Sequence, residues 1–359
     1  MFDQIRGRAH EQVVYCHDRL TGLRAIIAVH STLLGPALGG TRFFPYASEE
    51  EALHDVLRLS HVMTYKAAAA GLDLGGGKAV IIGDPVTEKT EALLRAYARF
   101  VESLGGRYIT AEDVGTTQSD MDLVHRETRH VTGVSPSLGG SGDPSVATAF
   151  GVLQAMKAAA RQLWGSSVLQ GRHVVISGVG KVGSYLGRHL VEEGARLSVS
   201  DVDPLALANA VETLGAEVVP VEKAHATDCE IFSPCAMGGA LDPTTIAELH
   251  CQLVVGGANN QLADPSCARL LQEVGVLYVP DYVANAGGLI NVAEEILGYD
   301  EERAYAKVRG IHDTTAAVLE AAAAQGVLPS EAADRLAEGR LEQLGHVRLI
   351  RTGRPPGRG

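Results

Sequence analysis

Two rhythms of apolar residues alternate along this chain, one of period two and one of period three to four. Val13–Tyr15 and Leu23–Val29 are short apolar-rich runs either side of the turn-forming DRLTG, which predicts a β-hairpin. From Ser48, SEEEALHDVLRLSHVM sets Leu53, Val56, Leu57, Leu59 and Val62 at helical spacing behind a capping box of Ser48 and Glu51. That helix is expected to carry Met63-Thr64-Tyr65-Lys66 at its C-terminal side. In LGGGKAVIIGD the three glycines break a helix, and Ala79–Ile82 is wholly apolar, as in a buried strand. A helix over Glu88 to Leu104 and a strand over Arg107–Thr110 then lead into Ala111-Glu112-Asp113-Val114-Gly115.

The stretch VTGVSPSLGGSGDP, ending at Pro144, is dense in Gly, Ser and Pro and reads as a linker, so a domain boundary is expected there. Beyond it come a helix starting near Ser145, a strand over His173–Gly178, a helix from about Val182 to Glu193 and a strand over Arg196–Ser200, which together make a βαβ unit. Apolar runs at Glu217–Pro220, Leu253–Val255 and Val276–Tyr278 continue a mostly parallel sheet, and the chain is helical in pattern from Ile290 to about Leu344. The fold class predicted is α/β.

Composition agrees and narrows the field. A length of 359 residues suits two domains at roughly 150 residues each, both able to bury a core. A net charge of −12 disfavours nucleic acid and anionic membrane surfaces as partners. The basic cluster in RLIRTGRPPGRG at the C-terminus has little to bury, and residues 348–359 are expected to form a disordered tail. Five cysteines without a CxxC pair predict neither a disulfide framework nor a zinc site, and the histidines show no HExxH spacing, so no metal is expected. The N-terminus has no apolar signal core and no apolar run reaches the length of a membrane helix, which together with the free thiols predicts a cytoplasmic protein.

The sharpest motif is Gly178-Val-Gly180-Lys181-Val182-Gly183, placed between a strand and a helix, with Asp201 ending the next strand. Such glycines serve a tight turn, backbone approach to a pyrophosphate, and close helix-to-strand packing. Asp201 would accept from the adenosine ribose hydroxyls and repel a 2′-phosphate, and its neighbours Val202 and Asp203 supply no arginine, so NAD is expected rather than NADP. Lys66 and Lys78 are the other candidates. Lysines are commonly solvated, but Lys66 precedes four alanines and Lys78 sits between GGG and VII, segments unlike a charged surface. A buried lysine beside a second cation suits general-base work, with the other lysine holding a substrate carboxylate. For Asp113, at a strand end, the pattern leaves two readings open: a cap for the next helix, shared with Thr116 or Thr117, or a site carboxylate.

At these residues the chain resembles a known family. GLRAIIAVHSTLLGPALGGTRFFPY, LGGGKAVIIGDP, GGRYITAEDVGT, ISGVGKVG, FSPCAMGGAL, GGANNQL and PDYVANAGGLINVAEE together resemble the amino-acid dehydrogenases acting on glutamate, leucine, phenylalanine and valine, most nearly the branched-chain members. The resemblance covers roughly residues 10 to 345. It implies a substrate-binding and oligomerisation domain over residues 1–134, with helices over 326–347 packing back on it, and a doubly wound Rossmann domain over 145–325. The active site would lie in the cleft between them, in a homo-oligomer. The implied reaction is reversible, NAD-dependent oxidative deamination of an L-amino acid to a 2-oxo acid and ammonium. By the same resemblance Lys66, with Gly39 beside it, binds the substrate carboxylate, Lys78 is the catalytic base and Asp113 handles the amino group and relays protons. Thr148 and Asn285 would line the nicotinamide end, and Ala236 and Asn259 would touch the cofactor.

Glutamate-specific relatives hold the distal carboxylate with a lysine in KGG and a serine after NAGG. The corresponding positions here are Leu38 and Val292, both apolar, so glutamate would be rejected for want of a charge partner. Leu38, Met63, Ala111, Leu289 and Val292 would form the side-chain pocket. Because a methylene is worth only ~1–3 kcal/mol of discrimination, leucine, isoleucine and valine are all expected substrates. A phenylalanine-type enzyme and a catalytically silent NAD-binding regulator are the alternatives. Ala111 and Leu289 disfavour the first, and intact Lys66, Lys78 and Asp113 the second.

Overall fold

The computed structural model describes residues 9–345. They divide into two units, one formed by the residues up to Leu138 together with those from Arg335 on, the other running from Gly139 to Asp334. The tail expected over residues 348–359 lies outside the described residues. The expectation hands the chain back to the first unit at residue 326; the structure does so at Arg335, within the helix α13 (Pro329–Gly345).

In the first unit β1 (Gln12–Asp18) and β2 (Leu23–Ser31) form the expected hairpin. They are followed by β3 (Ala37–Phe44), the long helix α1 (Glu49–Ala69), β4 (Gly75–Ile82), α2 (Glu91–Ser103), β5 (Tyr108–Glu112) and the short helix α3 (Gln118–His125). The sheet order is β1-β2-β4-β3-β5, with β1, β2 and β4 antiparallel in turn and β3 parallel to both β4 and β5. Alternation along the strands divides the core. Leu23, Ala25, Ile27, Phe43 and Ile81 pack under α2 and α3, while Ile26, Ala28, Val80 and Ile82 pack under Ala52, Leu53, Val56 and Leu57 of α1.

Several local expectations change. The capping box is incomplete: Ser48 accepts from the Glu51 N–H, but the Glu51 carboxylate accepts from Ala47 N–H, one residue before the cap. The glycines of LGGG are not a break before the strand but its first residues, because β4 begins at Gly75. The next helix starts at Glu91 behind a Thr90 cap, three residues after the expected Glu88.

The second unit opens with α4 (Ser145–Trp164), followed by β6 (His173–Ser177), α5 (Lys181–Glu192), β7 (Arg196–Ser200), α6 (Pro204–Leu214) and β8 (Glu217–Val218). Then come β9 (Ile231–Pro234), α7 (Pro243–Ala247), β10 (Leu253–Val254), α8 (Cys267–Glu273) and β11 (Leu277–Tyr278). The helices α9 (Asp281–Ala284), α10 (Gly287–Ala293), α11 (Glu301–Arg309) and α12 (Ile311–Gln325) precede α13. All strands of this sheet are parallel, in the order β11-β10-β9-β6-β7-β8. This is the doubly wound order, and the direction of winding reverses between β6 and β9, where such sheets take their ligands. Among the described residues, no helix is long and apolar enough to cross a membrane and no cluster of His, Cys, Asp or Glu could hold a metal ion.

Candidate active site

The strand register gathers the first unit's candidates on one face. Leu38 pairs with Gly76 and Ile109, Arg42 with Val80, Lys78 with Ala28, and Ala111 with Gly40, so Leu38, Arg42, Lys78 and Ala111 all point to the side that α1 covers. Gly76 explains how α1 comes so near: a Cβ there would lie 2.1 Å from the Thr64 nitrogen. Met63 lies over Gly39, its Cγ 3.4 Å from the position a Cβ on that glycine would occupy. Lys66 is half-buried three residues further along α1, on the same side of the helix as Met63. Beneath the sheet the Tyr108 hydroxyl donates to the Gly39 carbonyl at 2.6 Å, fixing the strand under this face.

Lys78 is buried, with 7% of its side chain exposed, and its Nζ stands 3.1 Å from Asp113 Oδ1. The other carboxylate oxygen, Oδ2, accepts from Arg42 Nε at 2.9 Å. Burial by itself would raise the Asp113 pKa, but the charges of Lys78 and Arg42, with their hydrogen bonds, outweigh it and hold the carboxyl below the usual range. The two readings of Asp113 left open by the sequence are thereby separated. The cap of α3 is Thr117, in a capping box with Asp120, and Asp113 takes no part in it. Thr116 instead locks the turn that aims Asp113, accepting from the Asp113 N–H at 2.9 Å and donating to the Thr41 carbonyl at 2.9 Å.

In the second unit the glycine motif sits at the switch point, between the ends of β6 and β9. Gly178 is in the left-handed region at φ +98°, and a Cβ there would lie 2.6 Å from Ala236. At Gly183 a Cβ would lie 2.0 Å from the Gly178 carbonyl oxygen, so helix and strand can approach only with glycine. Gly180 differs, because a Cβ there would meet nothing within 4 Å. The protein's own packing therefore accounts for Gly178 and Gly183 but not for Gly180. Gly180 is also the N-cap of α5 and offers no side-chain cap to the first-turn N–H groups, which suits an external phosphate. Lys181 and Val182 open the helix, and Lys181 lies 3.4 Å from Asp143 of the linker. Asp201 braces the loop, accepting from Val179 N–H at 2.7 Å and from Asp203 N–H at 2.9 Å; Val202 beside it is exposed.

Asn285 is buried and donates to Asn259 Oδ1 at 2.8 Å and to the Gly257 and Ala258 carbonyls at 3.3 Å. Thr148 lies in the first turn of α4, and a Cβ on Gly288 would come within 2.5 Å of its hydroxyl. Leu289 and Val292 are buried one turn apart on α10. Leu38, Met63 and Ala111 thus belong to the first unit, Leu289 and Val292 to the second.

Arg42 and its partner Asp55 join the site without having stood out in the sequence. The signal was the arginine in GGTRFF, disguised by two glycines that make the segment look like a turn rather than strand β3.

Comparison with known proteins fixes the class. The description Glu/Leu/Phe/Val dehydrogenase, dimerisation domain, matches residues 10–130, and Glutamate/Leucine/Phenylalanine/Valine dehydrogenase matches 139–205 and 205–347. The chain belongs to this dehydrogenase family and is an amino-acid dehydrogenase. It is 53% identical to the leucine dehydrogenase of Thermoactinomyces intermedius over 348 residues, covering 97% of this chain and 95% of the relative. It is 54% identical to the valine dehydrogenase of Streptomyces virginiae over 337 residues, covering 92% and 94%. The crystal structure of L-tryptophan dehydrogenase from Nostoc punctiforme superposes with a TM-score of 0.84 at 46% identity, covering 96% of this chain and 99% of that one.

Proposed function

We propose that this enzyme oxidatively deaminates branched-chain L-amino acids, reversibly, with NAD⁺ as the oxidant. The observation that carries the reading is the pair of buried Lys78 and half-buried Asp113 on the α1 face of the first sheet, beside apolar Leu38 and Ala111. Identity above one half to leucine and valine dehydrogenases supports the substrate class. The dinucleotide, when bound, supplies the hydride acceptor. The Gly178–Gly183 loop and the open N-terminus of α5 would hold its pyrophosphate, and Asp201 its adenosine ribose. Val202 would flank the adenosine end, while Ala236, Asn259, Thr148 and Asn285 are proposed for the remaining contacts.

The chain's own groups then divide the work. Lys66 pairs with the substrate carboxylate, with Gly39 leaving room beside it. The substrate ammonium approaches Asp113 Oδ1 and competes with Lys78 for it, which frees Lys78 from its partner. Asp113 takes a proton from the substrate ammonium so that hydride leaves Cα of the free amine. Lys78, as its free amine, takes a proton of the water that attacks the resulting iminium, and Asp113 returns its proton to the nitrogen, which departs as ammonium. Leu38, Met63 and Ala111 of the first unit are proposed to line the side-chain pocket and, like Leu289 and Val292 of the second, offer no charge to a distal carboxylate. The active enzyme is proposed to be a cytoplasmic homo-oligomer, with the first unit, including α13 from Arg335, providing substrate binding and assembly, and residues 145–325 binding the nucleotide.

The test is NADH formation with purified enzyme on L-leucine, L-valine and L-isoleucine, against L-phenylalanine, L-tryptophan and L-glutamate, with NAD⁺ and NADP⁺. Turnover of branched-chain substrates with NAD⁺ is expected. Preference for an aromatic substrate would refute the pocket assignment, and silence on every amino acid would refute the reaction.

A further inference from the structure

Deamination as proposed loosens the hold of Lys78 on Asp113 in each turnover, since the lysine must give up the charge that pairs it with the carboxylate and the substrate ammonium competes for Oδ1. Something else must then hold Asp113 in place. Its Oδ2 is held by Arg42 Nε at 2.9 Å, from the neighbouring strand of the same sheet face. The guanidinium is itself fixed from the far side, because Arg42 NH1 donates to Asp55 Oδ2 at 2.9 Å. Asp55 is anchored in turn by the Tyr46 hydroxyl at 2.8 Å and by Arg58 NH2 at 2.9 Å. The row Lys78, Asp113, Arg42, Asp55, Arg58 alternates in sign across β4, the end of β5, β3 and α1.

We propose that Arg42 is a positioning residue for the reaction, holding Asp113 by Oδ2 so that Oδ1 stays aimed at the substrate nitrogen when Lys78 lets go, with Asp55 bracing the guanidinium. This rests on the deamination mechanism given above. A planar guanidinium with two carboxylates on separate nitrogens is held in angle as well as position, which a lysine cannot reproduce. The ionisable groups that act on Asp113 are Lys78 from β4 and Arg42 from β3, with Tyr108 from β5 and Tyr46 from the loop before α1 coupled to it through charge; Asp55 and Arg58 of α1 stand behind Arg42. Removing a cation from this set favours the protonated carboxyl, and removing an anion disfavours it. Arg42 and Asp55 variants must therefore move the acid limb of activity in opposite directions.

The experiment measures pH profiles of kcat/KM for L-leucine with the full-length enzyme carrying Arg42→Ala, Arg42→Lys or Asp55→Asn, alongside thermal unfolding of each. Arg42→Ala is expected to move the acid limb up by about one pH unit and lower kcat at the optimum by about ten-fold or more. Arg42→Lys should return the limb most of the way while kcat stays depressed, because charge is restored and the fork is not. Asp55→Asn should move the limb down, by about half a unit. Limbs that coincide with the parent, or that move in the same direction in the Arg42→Ala and Asp55→Asn variants, overturn the proposal. If Arg42→Ala does not fold, Asp55→Asn decides alone, and a limb that stays or rises refutes the role. Failure of the deamination reading would look different: the parent enzyme would not turn over L-leucine, or Lys78→Ala would retain its rate.

Discussion

Lys78 illustrates what a residue's neighbours add to its chemistry. Substituting it by Ala removes the proposed base, and turnover should fall by roughly a hundred- to ten-thousand-fold, measured as NADH formation at saturating L-leucine. A rate within a few-fold of the parent would remove Lys78 from the mechanism. Asp201 makes a second case. Its replacement by Asn keeps the side chain's size but loses its charge, so the ratio of NADP⁺ to NAD⁺ use should rise, as judged by kcat/KM with each. The lysines were legible as candidates because GGG and VII are no setting for a solvated charge. Asp113 was legible only as an alternative, since a carboxylate after a strand reads equally as a helix cap until Thr117 is seen to take that task. Arg42 was not legible at all, because its meaning comes from partners 13 and 71 positions away.

Elements were read best where periodicity was strong. The α1 helix, the β6-α5-β7 unit and the hairpin all follow the apolar pattern, with ends moved by a residue or a few. β3 and β9 escaped it. Glycines occupy the centre of the first, and the second ends in Pro234 before CAMGG, so neither looks like a strand; both are made strands by pairing on their two sides with β4, β5, β6 and β10. The nucleotide loop gives a prediction at this scale. Gly183→Ala should destabilise the second unit by about 1–3 kcal/mol or more, seen as a lower Tm, because its Cβ would enter backbone. Gly180→Ala should leave Tm nearly unchanged and raise KM for NAD⁺, because the open space it fills is the one proposed for the nucleotide. Equal losses of Tm in both variants would contradict the separate duties assigned to these glycines.

Across the whole molecule, several carboxylates are ionised more easily in the folded chain than in the unfolded one. Burial works against Asp55, Asp113 and Glu294, yet Arg42, Arg58, Tyr46, Lys78, Arg303 and Lys307 more than offset it and hold all three below the usual range. The stability they contribute is complete above the ordinary carboxylate pKa and is lost as pH falls through the lower folded value, so Tm should drop steeply in acid. Glu294, buried between Arg303 and Lys307 where α10 meets α11, belongs to no proposed contact with substrate or nucleotide. Glu294→Gln should therefore cost about 1–3 kcal/mol in denaturant unfolding and flatten the acid loss without altering the choice of substrate. A Tm profile in acid identical to the parent would contradict this.

The glycines of the first sheet near Lys78 have a consequence for anyone wishing to retrain the enzyme. A Cβ at Gly75, Gly76 or Gly39 would lie 1.8, 2.1 or 1.8 Å from backbone atoms, so no repacking of neighbouring side chains can make room for one. Mutagenesis libraries that spread codons evenly around the lysines would spend much of their diversity on chains unable to close this face. Variation is better concentrated on Leu38, Met63 and Ala111, whose side chains can change size while the glycine floor keeps the helix and its lysine at their present height above the sheet.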